Sequence, residues 1–190
     1  THIAVAEIPG MNRLMLFSDA AVIPFPTTEQ LDAVMTYITK TWRSLTGGTC
    51  PRVALTHCTE KTSEKFPITI AYQAIKQYAE EGRYGEVCVD GPMDVKTACD
   101  AESGAIKGIS SPVVGNADIM IFPDIEAGNT FYKTITFFAN ATVAGMLDGT
   151  TAPVVVTSRA DSADSKFYSL AVACMRSLTP NPSPAGRGVK

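Results

Sequence analysis

The chain has 190 residues, of which 45% are hydrophobic, and a formal net charge of −3. That length and apolar content can bury one sizeable core, and charge so weak and scattered leaves no electrostatic footprint for nucleic acid or an anionic membrane surface. No apolar run reaches membrane-spanning length and no secretory signal is visible, so any anionic ligand must be held by a local site.

Ile3 to Ile8 and Leu14 to Phe17 are apolar runs separated by Pro9, Gly10, Met11 and Asn12, a pattern that predicts two antiparallel strands. Thr27 followed by Gln30 predicts a capping box. The helix it opens carries Leu31, Val34, Met35, Ile38, Trp42 and Leu45, and Gly47 and Gly48 end it. Val53 to Leu55 then reads as a strand, Ile68 to Glu81 as a helix and Glu86 to Val89 as a strand, with Asp90-Gly91-Pro92 as the turn after it. Ile119 to Phe122 is a continuous apolar run suited to a strand buried on both faces, and Pro123 stops it. A polar loop from Asp124 to Asn129 leads into a helix with Phe131, Ile135 and Phe138 at helical spacing. Val154 to Thr157 reads as the last strand, followed by a helix carrying Phe167, Leu170, Ala171 and Cys174. Four successive strand–loop–helix units predict an α/β fold, a mostly parallel sheet between helices with the opening hairpin as an antiparallel addition. The segment from Leu178 to Lys190 is rich in proline and glycine and is expected to be a disordered tail.

Cys50, Cys58, Cys88, Cys99 and Cys174 are odd in number, and none sits in a C-x-x-C pair. They read as reduced thiols of a cytoplasmic protein, and His2 and His57 read as structural. The strongest candidate for chemistry is Thr157-Ser158-Arg159-Ala160-Asp161-Ser162-Ala163-Asp164-Ser165-Lys166, where hydroxyls, a guanidinium and a helix start converge. An anion such as phosphate would meet the positive end of a helix dipole and a bidentate donor there. Helix capping by Asp161 or Ser162, with Arg159 in a surface ion pair, accounts for the same residues. Asp124, Glu126, Gly128 and Asn129 are the second candidate. Two acids spaced by one residue could hold a metal, but no histidine or third carboxylate has the spacing to complete a site. If the strands before these loops are parallel, the turns after Val89, Phe122 and Thr157 share one rim, where open α/β sheets bind ligands.

At these residues the chain resembles the phosphate acetyltransferase and phosphate butyryltransferase family. The resemblance rests on Val89-Asp90-Gly91-Pro92, on Ser111-Pro112-Val113 with Gly115 and Ala117-Asp118, on Pro123 to Asn129 with Tyr132-Lys133, and on Ser158-Arg159. It extends from about His2 to about Met175, and Asp124 to Asn129 and Ser158 to Ala163 look closer to the butyryl branch. It implies an architecture like that of the isocitrate and isopropylmalate dehydrogenases. It also implies direct transfer between acyl-CoA and phosphate, giving acyl phosphate and coenzyme A, with coenzyme A as substrate and no tightly bound cofactor or metal. By the same resemblance Arg159 holds phosphate, Ser158 donates to the sulfur and Asp164 is the nearest candidate base. Asp124, Gly128, Asn129, Asp161 and Ser162 are then expected at the substrate cleft. A homodimer is implied as well.

Family members are longer. Residues 1–152 are therefore expected to be a second domain, 153–177 a strand and helix returning to the first, and the fragment to fold with impaired catalysis. A non-catalytic coenzyme A-binding or assembly module, or a fold-related dehydrogenase, are the alternative readings.

Overall fold

The computed structural model describes residues 1–159 and 161–178. Six strands form one sheet: β1 (His2–Glu7), β2 (Met15–Ser18), β3 (Arg52–Thr56), β4 (Cys88–Met93), β5 (Ile119–Ile121) and β6 (Thr142–Leu147), in the order β4-β3-β5-β2-β1-β6. The neighbours from β4 to β2 pair in parallel, whereas β1 is antiparallel to both β2 and β6. One strand therefore runs against the other five. The predicted opening hairpin is present, with Ala4 opposite Phe17 and Ala6 opposite Met15.

Side-chain alternation gives this sheet two buried faces. Ile3, Val5, Leu16, Val53, Leu55, Ile119 and Ile121 point to one layer, where they meet Leu31 and Val34, Tyr72 and Ile75, and Val172 and Ala173. Those partners belong to α1 (Thr28–Thr46), α2 (Pro67–Glu80) and α6 (Ala163–Leu178). Ala4, Ala6, Ala54, Met15, Phe17 and Met120 point to the other layer, with Ala98 and Ile135. That layer holds α3 (Val95–Cys99), α4 (Ala101–Lys107) and α5 (Ile125–Phe138). Each fully buried side chain of Leu, Ile or Phe size contributes about 1.5–3 kcal/mol.

Helix α1 begins with the predicted capping box, Thr27 accepting from the Gln30 N–H while Gln30 Oε1 accepts from the Thr27 N–H, and stops at Gly47 in the left-handed region.

The structure adds one strand that was not expected and corrects several expectations. Thr142–Leu147 is a strand the periodicity did not reveal; Gly145 interrupts its apolar run. Val154 to Thr157 is not a strand: only Val154 bridges, to Leu147, and the run continues without a ladder. Asp90-Gly91-Pro92 lies inside β4, where the bare Gly91 sits so close to the Leu55 carbonyl that a Cβ would come within 2.4 Å of it. On α6 the buried stripe is Ser165, Ser169, Val172, Ala173 and Arg176, while the expected Phe167, Leu170 and Cys174 are exposed. On α5, Ile135 is buried but Phe138 is exposed. The tail was expected from Leu178, which is instead the last residue of α6, and residues 179 onwards lie outside the described residues.

Because five strands point one way, their carboxyl ends share one rim. Asp19, His57, Asp94, Phe122 and Asp148 follow β2, β3, β4, β5 and β6 there, and the reversed β1 places His2 at the same edge, opposite Leu147.

Candidate functional site

The rim is organised by a buried carboxylate. Asp19 is 7% exposed; its Oδ2 accepts from the His2 N–H (2.9 Å) and the Thr1 hydroxyl (3.0 Å), and its Oδ1 accepts from the N–H groups of Ala21 and Val22 (2.8 and 2.9 Å). These bonds satisfy the buried charge and fix the loop after β2. The first turn of α5 rests on that loop. Gly128 lies against the Asp19 carbonyl so closely that a Cβ would come within 2.2 Å, and Asn129 Nδ2 donates to the Ala20 carbonyl (3.0 Å). Asp124 is the N-cap of α5, its Oδ1 accepting from the Ala127 N–H at 2.7 Å. Cap, close approach and amide bridge give Asp124, Gly128 and Asn129 one shared mechanical task, which is to seat α5.

Beside this junction lies a cavity of about 220 Å³, walled by His2, Ala20, Asn129, Tyr132, Lys133, Gly145, Ser158 and Asp161, among others. Asp161 closes the turn below it. Its Oδ2 accepts from the Ser158 N–H (2.7 Å), its own N–H donates to the Ser158 carbonyl (3.1 Å), and its Oδ1 accepts from the Tyr132 hydroxyl (2.7 Å). Burial and the Asp161 carboxylate both push the Tyr132 phenol up, so it stays protonated and donates. The Lys133 ammonium lies 3.8 Å from the centre of the Tyr132 ring. The His2 imidazole rests on the bare backbone of Gly145, and its buried Nδ1 has no hydrogen-bond partner among the described residues. Burial lowers the pKa of His2 against the opposing pull of Asp19, which favours the neutral ring.

On the far side of the α5 start, two open clefts of about 750 and 520 Å³ share His57, Pro123 and Asp124. His57 Nδ1 accepts from the Thr59 N–H at 3.2 Å, and burial lowers its pKa although Asp124 opposes the shift. Asp94 lines the smaller cleft as the N-cap of α3. Asp90 points elsewhere, to Lys76 Nζ at 2.7 Å; burial would raise its pKa, but Lys76, the Gly91 N–H and Ser111 together hold it below the usual carboxylate range.

The structure thus brings Asn129, Ser158 and Asp161 to one cavity and places Gly128 directly behind its wall. Asp124 faces the neighbouring clefts. Arg159 projects from the exposed side of the Ser158–Asp161 turn and makes no ion pair among the described residues. Ser162 caps α6, its Oγ accepting from the Ser165 N–H at 3.1 Å, and Asp164 is exposed in the first turn. Asp90 lies within β4, at the opposite edge of the sheet, so the expected meeting of three turns is a meeting of two. Asp19, His2, Tyr132 and Lys133 join the site from outside the motifs weighed for chemistry. Only the antiparallel return of β1 puts His2 there, and a carboxylate two residues after the apolar run Leu14 to Phe17 was the available sign of Asp19. No group of three or more His, Cys, Asp or Glu residues placed to hold a metal occurs among the described residues.

Known proteins resemble this chain in sequence and in fold. The model of a family described as phosphate acetyl/butaryl transferase matches residues 1–174. A probable phosphate butyryltransferase of Bacillus subtilis is 38% identical over 173 residues, covering 91% of this chain and 58% of that protein. A phosphate acetyltransferase of Rhizobium meliloti is 37% identical over 175 residues, covering 92% and 55%. Among solved structures, a branched-chain phosphotransacylase from Enterococcus faecalis superposes with a TM-score of 0.82 at 33% identity, covering 92% of this chain and 64% of that one. The fold and the junction of α5 with the Ser158 turn are those of an α/β protein with a ligand-sized recess at its carboxyl rim. The chain belongs to the phosphate acetyl/butyryl transferase family and spans a little over half the length of the curated relatives it matches.

Proposed function

We propose that this chain carries part of the site of an acyltransferase that converts an acyl-CoA plus inorganic phosphate into an acyl phosphate plus coenzyme A. Butyryl-CoA or acetyl-CoA is the donor, and transfer is direct, without an acyl-enzyme. The observation that supports the reading is the turn at Ser158, braced by Asp161 at the cavity wall, which leaves the Arg159 guanidinium exposed and without an ion pair among the described residues.

In the forward step a phosphate oxygen attacks the thioester carbonyl, the C–S bond breaks and the thiolate leaves. Arg159 offers a bidentate donor to the phosphate and polarises the acyl oxygen. Ser158 donates its hydroxyl to the sulfur as charge develops there, an interaction that strengthens in the transition state and so accelerates the step. Asp164 takes the proton of the coenzyme A thiol in the reverse direction. Asp161 and Ser162 hold the turn and the start of α6, and the start of α5 supplies the substrate-binding surface opposite, with Asn129 at the cavity wall, Gly128 behind it and Asp124 at the neighbouring clefts. In this reading residues 1–152 are one domain of the complete fold, and 153–177 belong to a strand and helix of another. The protein is a cytoplasmic homodimer, for which the exposed pair Phe137 and Phe138 at the end of α5 offers apolar surface; light scattering that finds only monomer removes that part.

Calorimetry with coenzyme A and with butyryl phosphate, beside a thiol-release assay with butyryl-CoA and phosphate, tests the proposal. Binding weakened by about tenfold or more in Arg159→Ala, at unchanged melting temperature, is the expected result. Equal affinity in the variant, or no binding of coenzyme A by the unaltered chain, overturns it.

A further inference from the structure

Two of the five cysteines are neighbours. Cys50 stands two residues before β3 and Cys88 opens β4, and the parallel register that sets Arg52 beside Cys88 brings their Sγ atoms to 3.7 Å. Both thiols are only half-buried, so a small solute reaches them. Cys58, Cys99 and Cys174 have no thiol within hydrogen-bonding distance among the described residues.

The backbone around the pair is tied down on both sides by one guanidinium. Arg43 of α1 donates Nε–H to the Thr49 carbonyl (2.9 Å), directly before Cys50, and Nη2–H to the carbonyls of Tyr84 (2.9 Å) and Glu86 (2.7 Å), just before Cys88. The Cys88 N–H in turn donates to the Pro51 carbonyl at 3.0 Å. The two segments are therefore held against each other before any covalent link exists. The Sγ atoms need close only from 3.7 Å to a bonded distance of about 2 Å. Burial and the neighbouring Cys88 raise the pKa of Cys50 while Arg43 opposes the rise, which places a fixed positive charge where a thiolate would form.

We propose that Cys50 and Cys88 are a redox-modification site, a dithiol that closes to an intramolecular disulfide on exposure to a hydroperoxide. One thiolate attacks the peroxide, the O–O bond breaks, and a sulfenic acid forms with release of an alcohol or water. The second thiol attacks that sulfur, the S–S bond forms, the S–O bond breaks, and the oxygen leaves as water with the thiol's proton. The peroxide is reduced by two electrons and the pair is oxidised by two. The link encloses β3 and α2 and staples β4, the edge strand, to its neighbour at the amino ends of the strands. The cavity at Ser158 lies across β6, at the other edge of the sheet. Oxidation therefore stiffens the sheet edge and leaves that cavity unaltered.

The test is to treat the reduced protein with a small excess of hydrogen peroxide, count thiols, weigh the intact chain and map its tryptic peptides. Expected are the loss of two of the five titratable thiols, a mass lower by about two hydrogens, a crosslink between peptides 44–52 and 84–96, and a melting temperature raised by about 5–10 °C that dithiothreitol reverses. Cys50→Ser and Cys88→Ser should each abolish the crosslink, whereas Cys58→Ser and Cys174→Ser should not. Five thiols surviving peroxide, separate oxidation of Cys50 and Cys88 to sulfinic acids, or crosslinks that run through Cys58 or Cys174 overturn the proposal.

Discussion

Gly128 has no room for a side chain. An added Cβ would meet the Asp19 carbonyl at 2.2 Å, a backbone atom that four hydrogen bonds to the Asp19 carboxylate hold in place. Gly128→Ala should cost about 1–3 kcal/mol, read as a lowered denaturant midpoint at unchanged m-value. Asp124→Ala removes a helix cap and should cost about 1 kcal/mol by the same measurement.

His2 makes a pH prediction whose sign follows from its burial. The folded protein holds this imidazole neutral below its ordinary value of 6.5, so the unfolded chain binds the extra proton first. Stability is then fully present above about pH 6.5 and falls as the pH drops towards the folded value. Melting temperatures between pH 7.5 and 5.5 should decline, and His2→Gln should flatten part of the slope, the rest remaining with His57, whose pKa burial also lowers.

At the scale of elements, α6 is held by a polar contact more than by the apolar residues that its sequence advertises. Arg176 is 6% exposed and its Nε donates to Asp148 Oδ2 at 2.8 Å, and the same oxygen accepts from Thr41 on α1 at 3.3 Å. About two turns towards the helix start, Ser169 Oγ accepts from the Gly145 N–H (3.0 Å) and donates to the Ser165 carbonyl (2.7 Å). Small hydroxyls thus let the helix approach β6, and the ion pair locks its far end. Arg176→Ala strands the buried Asp148 and should cost about 3–5 kcal/mol, whereas Arg176→Met with Asp148→Leu should recover much of it; chemical denaturation of the three variants decides. The spacing of Phe167, Leu170 and Cys174 identified a helix correctly but chose the wrong side of it. Periodicity reports that a stripe exists, and it cannot report which stripe finds a neighbour. The same limit explains the run Val154 to Thr157, whose apolar character is strand-like but which meets a partner only at Val154.

For the molecule as a whole, strand order determines which residues are most protected. β3, β5, β2 and β1 are each paired on both sides, while β4 and β6 are edges. Amide exchange should accordingly be slowest at Val5, Leu16, Ala54 and Met120 and measurably faster along β4, as hydrogen–deuterium exchange with fragment separation can establish. Equal protection of β4 and β3 would contradict this order.

Much of this architecture was legible residue by residue. The hairpin, the capping box at Thr27, the helix stops and the buried run at Ile119 are local signals, because turn chemistry, capping and the two- or 3.6-residue periods act over a few neighbours. The motif strings of the family were likewise visible without coordinates. The place of β1 between β2 and β6 was settled only by the tertiary structure, and with it the arrival of His2 at the carboxyl rim. So were the burial of Asp19, the separation of Asp90 from the cavity, and the turn of Arg159 towards solvent. Each of these depends on which distant backbone supplies the partner for an unpaired edge or a buried charge, and that choice is made by the closing of the whole sheet, which no window along the chain contains.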